Sequence, residues 1–241
     1  MGEKTVDMTK GSILPKMIRF ALPVLLGMLF QRIYNFADSY IVGHFLGDNA
    51  LAAVSVAGVG MYLVFSLIIG LTTGVTVVMS QYYGAKEEDK VVKTFFSSIF
   101  IALGMTILVT VIGLLMTRPL LIVLQTPAEV LDAAVLYLRI ICAGSVGTML
   151  YNWISAVLRS LGNSVVPLIF LGISSLLNIV FDILFVAVIP MGVGGAAFAT
   201  VLAQIISGVA CLLYAWKILP MLRIRRDKLK LDTYIGKQML V

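Results

Sequence analysis

Two carboxylates, Asp38 and Asp182, lie inside long apolar stretches of this 241-residue chain. A charged Asp at the centre of a bilayer costs about 2.5–3.5 kcal/mol on insertion scales, so it should be paired, hydrated or used. Each acid belongs to a polar stripe at helical spacing. Gln31, Tyr34, Asn35 and Asp38 follow i, i+3, i+4, i+7, and Ser174, Asn178 and Asp182 recur every four residues. Thr200, Gln204 and Ser207 make a third stripe, and Ser145, Thr148, Asn152 and Ser155 a fourth. Four helices with one polar face each point to a shared, water-accessible cavity. Two carboxylates, an amide oxygen and a hydroxyl are hard oxygen donors suited to a small cation such as Na+. Two acids close together in a low dielectric also resist double ionisation, which makes a proton site equally admissible.

Depth along the helices supports bringing four of these residues together. At ~1.5 Å rise per residue, Asp38 lies 19 residues beyond Arg19, and Asp182 15 beyond Pro167, on helices that run outward. Thr200 lies six residues after Gly194 on a helix that runs inward. Asp38, Asn178, Asp182 and Thr200 are therefore expected at one level in the outer half. The plainer alternative is that either acid sits at the outer interface and meets only water.

The elements that must carry these residues follow from composition. The chain is 60% hydrophobic and 12% charged, against about 25% charged in a soluble domain, and its mean hydropathy is +1.04. That balance excludes a cytosolic enzyme, a nucleic-acid-binding domain and a secreted disulfide scaffold. Six apolar stretches are each long enough to cross ~30 Å of hydrocarbon. They run from Ile18 to Leu46, Leu51 to Tyr83, Val91 to Thr117, Val130 to Leu158, Val165 to Ile189 and Gly194 to Leu219. The fold class expected is all-α, a polytopic membrane protein with six transmembrane helices. Its parts are an N-terminal segment over 1–17, the helical lobe over 18–219 and a basic tail over 220–241. Turn and charge signals mark the breaks, among them Gly47-Asp48-Asn49, Gln125-Thr126-Pro127 and Gly162-Asn163.

All but Arg32, Arg118 and Arg139 of the 18 basic residues fall in the N-terminal segment, the second-to-third loop, the end of the fourth span or the tail. By the positive-inside rule both termini are then cytoplasmic, in a plasma (inner) membrane, with an even number of spans. The net charge of +6 is thus topology, with no nucleic acid as partner. The tail, Arg223 through Lys237, reads as an anchor on anionic membrane lipids or a linker toward something further.

Other residues read more plainly. Arg32 points about 120° from the Asp38 stripe and is expected to snorkel or find a neighbour. Arg139 is expected in a structural ion pair, and His44 at a solvated helix end. Cys142 and Cys211 have no ligand spacing and read as packing residues. Gly70, Gly74, Gly104 and Gly113 read as sites of close helix approach. No G-x-x-x-x-G-K-[ST] loop is present, and one His with two unspaced Cys supports neither a metal cluster nor a nucleophile. No enzymatic chemistry and no organic cofactor is expected.

Several segments carry a resemblance. Pro23, the run Asn35-Phe36-Ala37-Asp38-Ser39-Tyr40-Ile41-Val42-Gly43, Leu46-Gly47 and Ala50-Leu51-Ala52-Ala53-Val54 resemble the opening of multidrug and toxic compound extrusion (MATE) transporters. So do Gln81-Tyr82-Tyr83-Gly84-Ala85, Leu158-Arg159-Ser160-Leu161-Gly162-Asn163 and Asn178-Ile179-Val180-Phe181-Asp182. The resemblance implies the N-terminal lobe of a twelve-span antiporter that exports organic cations against Na+ or H+. It implies a cation site at Asp38, Asn178, Asp182 and Thr200, and a drug cavity faced by Gln31, Tyr34, Asn35 and Asn152. A second lobe is missing from this length, so the partner is a C-terminal lobe or a second copy of the chain. Two alternatives stay open: a flippase for lipid-linked precursors of the same superfamily, and a non-transporting membrane subunit.

Overall fold

The computed structural model describes residues 13–219 and 232–240, and every regular element among them is helical. In chain order these are α1 (Ile13–Leu46), α2 (Asp48–Gly84), α3 (Glu88–Val123), α4 (Ala128–Ala143) and α5 (Ser145–Ser160). Then come α6 (Val165–Asp182), a π-helical turn (Ile183–Val188), α7 (Gly192–Ile218) and a short α8 (Thr233–Leu240). Five of them are long and apolar enough to cross a membrane, the π turn extending α6 to Val188. The α4–α5 pair, bent by 50°, brings the number to six when it is counted as one broken span.

The bounds differ from expectation in instructive ways. α1 starts at Ile13, not Ile18, because Pro15 falls in the first turn, where no backbone N–H is required of it. Residues 1–12, the rest of the expected N-terminal segment, lie outside the described residues. α3 continues past Thr117 through Pro119 to Val123, since a proline removes a single ladder bond and four more residues complete the last turn. The fourth span is two helices, not one. Gly144 separates them because it lies flat against Val201, whose methyls occupy the space a Cβ would need.

Only Gly47 separates α1 from α2. Its φ of +84° is a conformation that only glycine adopts cheaply. That single residue reverses the chain, with Gly47 N–H donating to Gly43 O at 3.1 Å and Leu51 N–H to Gly47 O at 3.1 Å.

The centre of the lobe is α2 and α7. α2 packs against α3, α4 and α5, and α7 against α4, α5 and α6. Phe96, Leu121, Leu138, Ile141, Ile154 and Leu158 are fully buried between them. Two hydrogen bonds in this core join polar groups across helices. Trp153 Nε1 donates to Ser98 Oγ at 2.9 Å, and Thr110 and Ser145 hydroxyls share a 2.7 Å bond. α1 stands apart: it rests chiefly on α6 and leaves Phe36 76% and Tyr40 64% exposed. Cys142 and Cys211 are buried free thiols, as packing residues should be.

The basic stretch Arg223 to Lys230 lies outside the described residues. α8, at the end of the tail, folds back onto α2 and α3 and buries Ile235 and Met239. Asp232 caps it by accepting from Tyr234 N–H (3.1 Å) and Ile235 N–H (3.2 Å), while its own N–H donates to Ser97 Oγ at 2.9 Å. Tyr82 hydroxyl donates to Gln238 Oε1 at 2.7 Å. Of the four glycines read as close-approach sites, Gly113 meets Cys142 and Gly74 meets the Met239 backbone; Gly70 and Gly104 face open space. A Cβ at Gly74 would fall within the Met239 carbonyl oxygen. Gly74→Val should therefore release α8 and raise trypsin cleavage at Lys237 by roughly tenfold or more, the response to lost local protection. Unchanged cleavage would show that α8 is held elsewhere.

Candidate cation site and cavity

Asp38 comes from the C-terminal part of α1, one turn beyond Tyr34, and the π turn begins directly after Asp182. Such widened turns recur where a helix must aim side chains inward. The two carboxyl groups lie within hydrogen-bonding reach of each other. Asp38 is 7% and Asp182 0% exposed. Asn178, one turn before Asp182, donates from Nδ2 to Thr200 Oγ1 of α7 at 3.2 Å. The depth argument and the structure agree: all four residues meet at one level.

The electrostatics of that meeting are unusual. Asp38 Oδ1, both carboxyl oxygens of Asp182 and Asn178 Oδ1 are buried with no hydrogen-bond donor among the described residues. Four converging acceptors without a proton or a cation between them would leave several kcal/mol of desolvation uncompensated. The cluster therefore has the composition of a receptor for H+ or a small hard cation. Among the described residues no group of three His, Cys, Asp or Glu forms a transition-metal site.

Asp38, Asn178 and Thr200 of this cluster, but not the fully buried Asp182, line a cavity of about 1020 Å3. Gln31, Tyr34, Asn35 and Asp38 of α1 all line it, as do Thr148 and Asn152 of α5, Ser174 and Asn178 of α6, and Thr200 and Gln204 of α7. Thr148 hydroxyl bonds Gln204 Oε1 across the α5–α7 seam. Asn152 Nδ2 donates to Thr148 O at 2.8 Å, which leaves its carboxamide oxygen toward the cavity. The last member of one stripe and the first of another do other work. Ser207 bonds Phe170 O at 2.5 Å, tying α7 to α6, and Ser145 bonds Thr110.

Two residues escaped the reading of the sequence. Tyr137, 4% exposed on α4, neighbours Asp38, Tyr34, Asp182 and Thr200 and lines the cavity. Its stripe was hidden because the bend at Gly144 rotates α4 relative to α5. Arg159 lines the cavity as well, although its place at a helix end reads as topology. Two expectations are corrected. Arg32 does not point away from the cavity but lines it, because the pocket wraps well over a third of the α1 surface. Arg139 is exposed and makes no ion pair among the described residues; the carboxylate available on that side, Asp132, pairs with Arg118 at 2.9 Å. His44 is exposed near the end of α1, stacked on Tyr40.

A protein-family model described as MatE matches residues 23–184. The chain belongs to the MATE family. It is 34% identical over 248 residues to the probable multidrug resistance protein YpnP of Bacillus subtilis (strain 168), an alignment spanning 99% of this chain and 56% of that protein. It is 28% identical over 203 residues to the probable multidrug resistance protein NorM of Thermotoga maritima, spanning 83% of this chain and 43% of that one. Among solved structures, a MOP superfamily transporter from Pyrococcus furiosus superposes with a TM-score of 0.89 at 25% identity, covering 100% of this chain and 53% of its own. A MATE crystal structure in the bent conformation gives 0.89 and 25%, covering 100% of this chain and 54% of its own. The MATE chain described here thus spans about half the length of the relatives it matches. Its six-span architecture is that of one MATE lobe.

Proposed function

We propose that this chain is the N-terminal half of a cation-coupled exporter of organic cations and drugs, with Asp38, Asn178, Asp182 and Thr200 holding the coupling H+ or Na+. The observation that carries the reading is the set of donor-less buried oxygens beside a large cavity lined by both polar and apolar residues. An ion placed there screens two facing carboxylates. When it leaves, two unit charges ~4 Å apart at an effective dielectric of ~20 repel by about 4 kcal/mol. A complete switch between two populations takes about 5.5 kcal/mol, so one ion supplies most of the drive.

α1 is the element that moves. It carries one of the two acids, lines the cavity along four polar residues, and is the span least held by its neighbours. Loss of the ion therefore biases α1 between two arrangements and changes the affinity of Gln31, Tyr34, Asn35 and Asn152 for a drug. Rocking of one bundle against another needs a second bundle; a C-terminal lobe or a second copy of this chain supplies it. Both termini of the lobe are cytoplasmic in this reading, in the plasma membrane.

The test uses everted membrane vesicles containing the product of the full reading frame in which this chain lies. A fluorescent organic cation should accumulate in the lumen when an outward-directed H+ or Na+ gradient (higher inside the vesicle) is imposed and stop when it is collapsed. Dependence on Na+ at constant pH assigns Na+; dependence on a protonophore alone assigns H+. No uptake under either gradient ends the proposal.

A further inference from the structure

The cavity has a second charged end. Arg159, in the last turn of α5, lines it together with Ser164, Pro167 and Leu168 from the start of α6 and Pro23 from the lower part of α1. Pro23 and Asp38 are 15 residues apart on one helix, so the arginine end lies ~22 Å from the acid cluster at 1.5 Å per residue. Arg32 lines the wall between them. The acids are gathered at one end, and the guanidinium groups lie away from them.

Among the described residues neither arginine has a carboxylate partner, whereas Lys90 pairs with Glu87 and Arg118 with Asp132. Arg159 is half-buried, and its neighbours Ser160, Asn163 and Ser164 are buried. The hydroxyl of Tyr151, two turns earlier on α5, is held by Pro167 O at 2.9 Å, so the phenol is fixed as part of the wall. A guanidinium in such a place is an expensive group without an anion. Its planar donor fork matches the two oxygens of a carboxylate, and the cavity wall mixes apolar residues such as Met28, Leu168 and Leu171 with the polar stripe, which suits an aromatic body with polar substituents.

We propose that Arg159 is a specificity-determining residue that binds the carboxylate of zwitterionic, amphiphilic substrates, with their cationic group directed toward the acid end of the cavity. This rests on the export reading above but adds a substrate class to it: compounds with both charges are preferred over the same compounds with the carboxylate masked. Arg32 acts as a second positive group along the path.

The probes are a zwitterionic carboxyrhodamine and its ethyl ester, which differ by one negative charge. Binding to the purified product of the full reading frame in phosphatidylcholine nanodiscs is followed by fluorescence anisotropy. A lost charge-assisted hydrogen bond should weaken zwitterion binding by Arg159→Gln about tenfold or more, with the ester changed by less than about twofold. Unchanged ester binding also shows that the variant is folded, and Arg159→Lys should restore part of the loss. Equal losses for both dyes, or no loss for the zwitterion, would overturn the proposal while leaving the export reading intact. Wild-type protein that binds neither dye overturns the export reading and this one with it. The measurement is repeated with phosphatidylglycerol in the nanodisc. If the wild-type preference for the zwitterion vanishes there, Arg159 serves a lipid headgroup phosphate and the substrate role is overturned; if it persists, the substrate role stands.

Discussion

Asp182→Asn should abolish gradient-driven transport and at the same time make the protein more stable. In the wild type both Asp182 oxygens and Asp38 Oδ1 are buried without a donor. The amide of the variant places an N–H2 beside Asp38, satisfying an acceptor whose neglect costs about 1–3 kcal/mol. For a protein of this size each kcal/mol moves the melting temperature by about 2–4 °C, so the detergent-solubilised variant should melt roughly 3–10 °C higher at neutral or alkaline pH. The gain should shrink as the pH is lowered, because a proton between the two wild-type carboxyl groups supplies the same donor. Transport falls to the level of empty vesicles, since one fixed neutral group removes the repulsion that drives the switch. Thermal denaturation at several pH values and vesicle uptake check the two halves separately. Wild-type transport by the variant would end the coupling mechanism. A lower melting temperature at alkaline pH would show that the carboxylates are stabilised by something other than each other's proton or ion.

The second large effect lies in the seam that holds the cavity wall. An ideal Cβ on Gly147 would stand 2.7 Å from Ile205 Cγ1 and 3.1 Å from Ile205 N. Backbone, not only a side-chain tip, is in the way, so α5 and α7 must separate. Overpacking of this kind costs about 1–3 kcal/mol and more when the backbone resists. Gly147→Val should lower the melting temperature by about 3–12 °C and, by parting Thr148 from Gln204, weaken drug binding. Gly104 is the control: it faces open space, and a helical Gly→Ala change there should be neutral or stabilising by up to about 1 kcal/mol. Thermal melts of the two variants side by side decide the matter. If Gly147→Val is as stable as wild type, the α5–α7 contact is not close enough to fix the wall.

These two predictions draw on different levels of information. The acids could be picked out from residue type alone, because a carboxylate in hydrocarbon is costly wherever the helix packs. Helical spacing then put Gln31, Tyr34, Asn35 and Asp38 on one face, and four such faces implied a cavity that the fold does contain. Even the common level of Asp38, Asn178, Asp182 and Thr200 was legible, because rise per residue is nearly constant and each helix is anchored by a recognisable end.

Periodicity says nothing, however, about where a long apolar run bends. The break at Gly144 depends on Val201 pressing against it from another helix, and through that bend Tyr137 arrives beside the acids. Arg32 and Arg159 carried the same formal charge as the topological lysines, so only packing could reveal that they line the cavity. The spacing of Gly70, Gly74, Gly104 and Gly113 likewise did not distinguish the two that meet a neighbour from the two that face open space.

What the residues decided alone is therefore the membrane class, the number of spans and the chemistry of the buried acids, since those follow from transfer free energies and a fixed helical geometry. What only the tertiary structure decided is which oxygens lack a donor, which arginines face the cavity and where α8 is tied down. Those depend on contacts between segments far apart in the chain, which no local pattern encodes.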